Sequence, residues 1–71
     1  MSLLKVAFEM SSVFESLDDA WPREDVHIGT PMVYLGEQHQ SGAGEYWFYL
    51  KVLLPSGFIG WILKANTEEM T

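Results

Sequence analysis

The sequence feature that most constrains the fold is a run of aromatic and branched side chains at residues 46–54. Its alternation divides the run into two sides, one with Phe48, Leu50, Val52 and Leu54 and the other with Trp47, Tyr49, Lys51 and Leu53. A period of two residues is typical of a β-strand that buries one face. Because Lys51 is charged, its side is predicted to face solvent and to turn Trp47 outward.

Similar patterns predict further strands at residues 3–9, 32–35 and 58–63. In the first of these, the side chains predicted to share one side are Leu4, Val6 and Phe8. Residues 36–44 are polar, contain three glycines and are predicted to connect two strands as a hairpin. Gly60 lies inside the last predicted strand, where we expect a bend or the close approach of another backbone.

Residues 11–25 carry five acidic side chains and are predicted to form a long irregular loop, here called the acidic loop. Pro22 restricts the residue before it to an extended conformation, so that a helix would end there. A capping-box pattern at residues 12–15 leaves a turn or two of helix open as an alternative. Near the other end of the chain, residues 65–70 are predicted to form one helical turn with Asn66 as its cap.

The length of the chain makes a dense core necessary, because a domain of 71 residues buries only about 60% of its unfolded surface. Three Trp, three Tyr and four Phe supply the large side chains, and the sequence has no cysteine for a disulfide. Residues 1–71 are therefore predicted to form one all-β domain, a small five-stranded antiparallel barrel. A two-layer α+β domain, with a helix at residues 12–20 against an open sheet, ranks second.

The charge balance limits the partners. Four Lys and Arg stand against ten Asp and Glu, which gives a formal net charge of −6. Such a chain has no basic stripe to neutralise phosphates, so neither nucleic acid nor an acidic membrane surface is an expected partner. Residues 1–5 lack the pattern of a signal peptide, and the cytoplasm is the expected compartment.

Catalytic chemistry is not expected from these residues. His27 and His39 are the two histidines, and neither has sequence neighbours that indicate a catalytic triad or a set of metal ligands. Without cysteine there is no thiolate nucleophile. We therefore expect a protein that is not an enzyme and that carries no metal and no cofactor.

Two motifs between residues 29 and 62 resemble a known family. Residues 29–37 read Gly-Thr-Pro-Met-Val-Tyr-Leu-Gly-Glu, and residues 47–52 and 57–62 read Trp-Phe-Tyr-Leu-Lys-Val and Gly-Phe-Ile-Gly-Trp-Ile. In this order they resemble the Gly-Thr turn, tryptophan strand and Gly-x-x-Gly-Trp hairpin of bacterial Src-homology-3 domains. The resemblance spans residues 29–62 and implies the same small barrel.

A looser likeness covers residues 4–10. Phe8 and Met10 stand where the peptide-binding members of the family have two ligand-contacting tyrosines. The resemblance thus implies a groove with aromatic walls, in which loop carboxylates receive a basic residue of the ligand. After Ile62, however, the family has Pro-Ser-Asn-Tyr and this chain has Leu-Lys-Ala-Asn. The donors that orient a proline ligand are missing, so the binding of proline-rich peptides is not carried over.

Two groups of residues are the candidate binding site. The first, here called the aromatic platform, consists of Phe8, Met10, Trp47 and Leu63. The second is the carboxylates of the acidic loop, which offer paired acceptors to a partner's Lys or Arg: Asp18, Asp19, Glu24 and Asp25. An alternative stays open for each group. Trp47 would also serve to cover an open end of the barrel, and the charges of the acidic loop would also serve to keep the protein in solution.

The two other tryptophans have structural interpretations. Trp61 is predicted to cap the barrel, and Trp21 with Pro22 to plug a loop or to fold over the groove. The expected function is a non-catalytic interaction module that binds a peptide segment or a subunit surface. The alternatives are an accessory subunit that forms a homodimer or completes a larger complex, and a module that binds cell-wall peptides.

Overall fold

The fold is a single antiparallel sheet, seen in a computed structural model that describes residues 2–40 and 47–70. Its strands run in the order β3-β2-β6-β5-β4-β1-β7. A short 3-10 helix, Lys64–Asn66, lies between the last two strands. The seven strands are β1 (Ser2–Val6), β2 (Met10–Phe14), β3 (Glu24–His27), β4 (Pro31–Gln40), β5 (Phe48–Leu53), β6 (Ile59–Leu63) and β7 (Thr67–Glu69).

The sheet curls because the chain bends at two neighbouring corners. Residues 7–9 join β1 to β2, and residues 28–30 join β3 to β4. Across the corners, the Val6 amide donates to the Thr30 carbonyl at 3.0 Å and the Ile28 amide to the Glu9 carbonyl at 3.1 Å. Since β1 pairs with β4 and β2 pairs with β3, the first half of the chain is one long bent hairpin. The remaining strands complete a half-barrel.

The all-β class is confirmed, but the five-stranded closed barrel is wrong, and so is the α+β alternative. The difference comes from the acidic loop, whose two arms are the strands β2 and β3. Ser11 pairs with Val26 in the core, and this tertiary pairing outweighs the low strand propensity of serine and acidic residues. Only residues 15–23 form a loop, and no α-helix occurs in residues 2–40 or 47–70.

The predicted helical turn at residues 65–70 is also wrong, because the chain continues there as the 3-10 helix and β7. Asn66 does not cap its own helix. Its side-chain amide instead donates to the Ser11 hydroxyl at 2.9 Å. Beyond it, β7 pairs with β1 in the register Leu4–Glu69.

The core lies on the concave face of the sheet. The alternation predicted for residues 46–54 is confirmed in the part the structure describes, because Leu50, Val52 and Leu54 are buried while Lys51 and Leu53 are more exposed; Tyr46 lies outside the described residues. The other buried apolar side chains are Leu4, Val6, Val13, Val26, Met32 and Ile62.

Gly60 has the role predicted for it. A Cβ atom at this position would lie 2.6 Å from the Phe14 carbonyl oxygen and 2.8 Å from a methyl carbon of Val13. The close approach of β2 to β6 thus requires glycine.

Two strand boundaries differ from the sequence prediction. β1 ends at Val6, so Phe8 does not share the buried side of Leu4 but lies exposed in the corner. β4 continues through Gln40, into the segment predicted as a hairpin connection. The rest of that connection, residues 41–44, lies outside the described residues.

Candidate functional site

Met10 and Trp47 lie on either side of the 3-10 helix. Met10 begins β2, and the next residue, Ser11, accepts the hydrogen bond from Asn66. Trp47 precedes β5, whose Tyr49 pairs with Leu63 at the end of β6. Since β6 runs antiparallel to both β2 and β5, the start of those two strands and the end of β6 meet at one end of the sheet.

Both side chains are on the convex face. Met10 alternates with the buried Ser11, and Trp47 is on the same side of its strand as Tyr49 and Lys51. Met10 is 50% exposed and Trp47 53% exposed. Trp47 is therefore not sealed inside the protein.

The other two residues of the aromatic platform differ in exposure. Phe8, in the first corner, is 61% exposed and lines a shallow apolar cavity with Ile28 from the second corner. The corner is held to the 3-10 helix by the Ala7 amide, which donates to the Asn66 carbonyl at 2.8 Å. Leu63 is half-buried in β6. Ile28 is not predictable from the sequence as part of this surface, because only the pairing of the corners brings it to Phe8.

The four predicted carboxylates do not form one cluster. Asp18 and Asp19 lie in the loop at residues 15–23, where the Asp19 carboxylate accepts a hydrogen bond from the Ser16 amide at 3.0 Å. Asp25 accepts one from the Ser12 hydroxyl at 3.0 Å. Glu24 accepts from the Ser56 hydroxyl in the turn after β5 and is thus directed to a different partner from Asp25.

Two of the four carboxylates adjoin the aromatic platform: Asp25, bound to Ser12 two residues from Met10, and Asp19 on the side of Trp47. Asp19 lines a small cavity of about 80 Å³ with Phe14, Leu17 and Tyr49. Tyr49 is two residues from Trp47 on the same face of β5, a separation of about 7 Å along a strand. A cationic side chain bound at Trp47 would thus have an acidic neighbour.

Most of the basic side chains are occupied by ion pairs within the chain. Lys5 pairs with Glu68 at 3.3 Å and Arg23 with Glu15 at 2.6 Å. Lys51 pairs with Glu37 at 3.2 Å. The acidic excess of the chain therefore faces solvent.

Trp61 and Trp21 are placed differently from their predictions. Trp61 is half-buried on the convex face, with the Lys51 ammonium 5.9 Å from its ring centre and His39 edge-on at 6.4 Å, so it does not cap an open end. Trp21 is 80% exposed in the loop at residues 15–23 and does not plug it. That loop follows the end of β2 opposite to Met10.

An apolar row that was not predicted lies on the convex face. Cross-strand pairing places Leu3 of β1 opposite Val33 of β4, and Val33 opposite Leu53 of β5. Leu53 is in turn opposite Ile59 of β6. This convex row, Leu3, Val33, Leu53 and Ile59, crosses four strands. Only strand register reveals it, because its members are distant in the sequence.

Other features bear on function. Within residues 2–40 and 47–70, no three His, Asp or Glu side chains are grouped so that they would hold a metal ion. Over the same ranges, no helix has the length and apolar character needed to cross a membrane. Comparison with protein-family models, with curated proteins and with solved structures finds no match to this chain.

Proposed function

We propose that this chain is a non-catalytic interaction module that binds a peptide segment or a subunit surface through the aromatic platform. The observation that carries the proposal is the exposure of Met10 and Trp47 on both sides of the 3-10 helix. Large exposed apolar side chains grouped at one place on a small protein are typical of a binding surface. A partially exposed tryptophan is also among the strongest anchors at interfaces.

The proposed partner carries a basic residue next to its apolar anchor. Asp19 is near Tyr49 on the platform side, and Asp18 is exposed beside it. With a net charge of −6, the chain attracts a basic partner over a longer range and raises its association rate. Glu24 has no part in this proposal, because it is bound to Ser56.

The family likeness remains part of the proposal. The turn at Gly29 and Thr30 leads into β4, and the residues of the second motif form β5 and the hairpin into β6. These placements support a relation to bacterial Src-homology-3 domains. The cytoplasmic location and the alternative function, the binding of cell-wall peptides, stay predictions.

Selection from a random peptide library displayed on phage tests the proposal. Selected peptides should combine an apolar or aromatic residue with Lys or Arg, and Trp47→Ala should weaken their binding about 30-fold, as expected for an anchor worth about 2 kcal/mol. Leu3→Ala is the control, since this exposed apolar side chain lies in β1, outside both the aromatic platform and the loop at residues 15–23. Equal losses for both variants, or no loss for Trp47→Ala with the fold retained, would contradict the proposal.

A second function, self-association, is favoured by the convex row. An antiparallel sheet with one buried face normally presents polar residues on the other. Leu3 and Ile59 are instead exposed apolar side chains at the two ends of a row that contains no charge. If two copies join through this row, light scattering should show a dimer that Leu53→Lys converts to a monomer. A monomer at all concentrations rules this function out.

A further inference from the structure

The last part of β4 has a free edge. β1 pairs with Pro31 to Tyr34, whereas β5 pairs with β4 as far as Gln40. A register shift between Tyr34 and Gln38 separates the two parts. Within the described residues, the segment from Gln38 to Gln40, here called the β4 tail, thus has a neighbouring strand on one side only.

The alternation of hydrogen bonds shows which groups face that edge. The Leu54 amide donates to the Phe58 carbonyl, so every second residue back along β5, including Leu50, bonds to β6. The alternate residues of β5, including Tyr49, bond to β4 instead. The partner of Tyr49 in β4 is His39. The residues on either side of His39 must then direct their N–H and C=O groups away from β5. Gln38 and Gln40 therefore present four main-chain groups at the free edge.

A cavity of about 360 Å³ lies beside this edge. Leu4 and Leu50 supply its buried apolar surface, and Gln38 lines it from the β4 tail. Gln38 faces the concave side because it is directly opposite the buried Leu50. Its charged lining residues are Glu68 and Glu69 of β7 and Lys64 of the 3-10 helix. The volume is within the range of pockets that hold a ligand side chain or a small molecule.

The outer strands of the sheet are much less suited to pairing with another chain. β3 and β7 have four and three residues, and each contains two acidic side chains. Short, charged edge strands are a common means of preventing strand addition. The β4 tail is uncharged apart from the titratable His39, whose side chain is on the convex face against Trp61. It is thus the edge at which an added strand meets the least opposition.

We propose that the β4 tail and the adjoining cavity bind an extended segment of a partner polypeptide by strand addition. The main-chain groups of the segment pair with those of Gln38 and Gln40, and one apolar side chain of the segment enters the cavity against Leu4 and Leu50. Because alternate residues of a strand face opposite sides, the neighbouring side chains of the segment remain outside the cavity. Two carboxylates, Glu68 and Glu69, line the cavity against one cation, Lys64, and together with the net charge of −6 they favour a segment with basic residues. Gln38 is on the concave face, whereas Met10 and Trp47 of the aromatic platform are on the convex face.

The test uses peptides selected from a random phage-displayed library on the Trp47→Ala variant, in which the aromatic platform is disabled. Gln38→Pro removes the N–H at the free edge, where proline is compatible with an edge strand. Gln38→Ala removes the side chain and keeps the N–H, so it is the matched control. We expect Gln38→Pro, added to Trp47→Ala, to weaken binding at least tenfold, and Gln38→Ala to retain it.

Amide hydrogen exchange provides a second measurement. In the free protein the amides of Gln38 and Gln40 should exchange fast and that of His39 slowly; the selected peptide should slow the first two. The proposal is overturned if no peptide is enriched on Trp47→Ala, if Gln38→Pro binds as well as Gln38→Ala, or if Gln38 and Gln40 are already protected in the free protein. The effect of Trp47→Ala on peptides selected with the wild-type chain tests only the aromatic platform. The proposal for the β4 tail and the proposal for the aromatic platform can therefore fail independently.

Discussion

The Asn66 side chain donates a hydrogen bond to the hydroxyl of Ser11, 55 residues earlier in the chain. Ser11 is the one buried polar residue among the described residues, and it adjoins Met10 of the aromatic platform. The bond therefore fixes the 3-10 helix against β2. It also explains why Asn66, which was predicted to cap a helix, instead links the 3-10 helix to β2.

Asn66→Ala should lower the free energy of unfolding by about 1–3 kcal/mol, because it leaves the buried Ser11 hydroxyl without its partner. Ser11→Ala in the same chain removes that unsatisfied group and should recover part of the loss. Urea denaturation of both single variants and the double variant measures the coupling. Strictly additive effects would show that the bond contributes nothing.

Gly60→Ala should destabilise the domain by about 1–3 kcal/mol, because the added methyl group overlaps the Phe14 carbonyl and Val13. Gly57→Asn is the matched control, since Gly57 has a φ of 91° and open space around it. Asparagine tolerates such left-handed backbone better than most residues, so its cost should stay below about 1 kcal/mol. Thermal denaturation of the two variants separates a lack of space from a backbone requirement.

Ile62→Ala should remove a large part of the domain's stability. Ile62 is fully buried in the centre of β6, and its truncation costs about 2–5 kcal/mol in a domain with little stability to lose. Ile59→Ala, three residues earlier on the convex row, should change stability by less than about 1 kcal/mol. Circular dichroism with urea titration compares the pair, and equal losses would contradict the assignment of the two faces.

Lys51→Met should have a small effect, below about 1 kcal/mol. Its pairs with Glu37 and Trp61 are partly exposed, and methionine retains the packing of the aliphatic chain on the indole ring. The difference from wild type should shrink as salt is added, because salt screens the ion pair. A loss that is large and independent of salt would instead show a packing role for the ammonium end.

The strand at residues 46–54 was predictable because its side chains alternate, and burial of Leu50 and Val52 confirms that pattern. The strands β2 and β3 were not predictable, since Ser12 and Asp25 have low strand propensity. They are held by pairing between segments that are too far apart in the sequence for a short stretch to show it. For the site, local alternation predicted the outward side of Trp47. The joining of Phe8 to Ile28 and the convex row depend on register between distant segments.

The Met70 amide donates to the Leu3 carbonyl at 3.0 Å, so the two extremities of the described chain adjoin on neighbouring strands. A short linker between them, combined with a cut at the exposed turn near Ser56, would give a circularly permuted chain with the same sheet. The same proximity makes the domain suited to insertion into a surface loop of a host protein. Folding, conversely, cannot be completed until β7 reaches β1, and such contacts between distant residues slow folding.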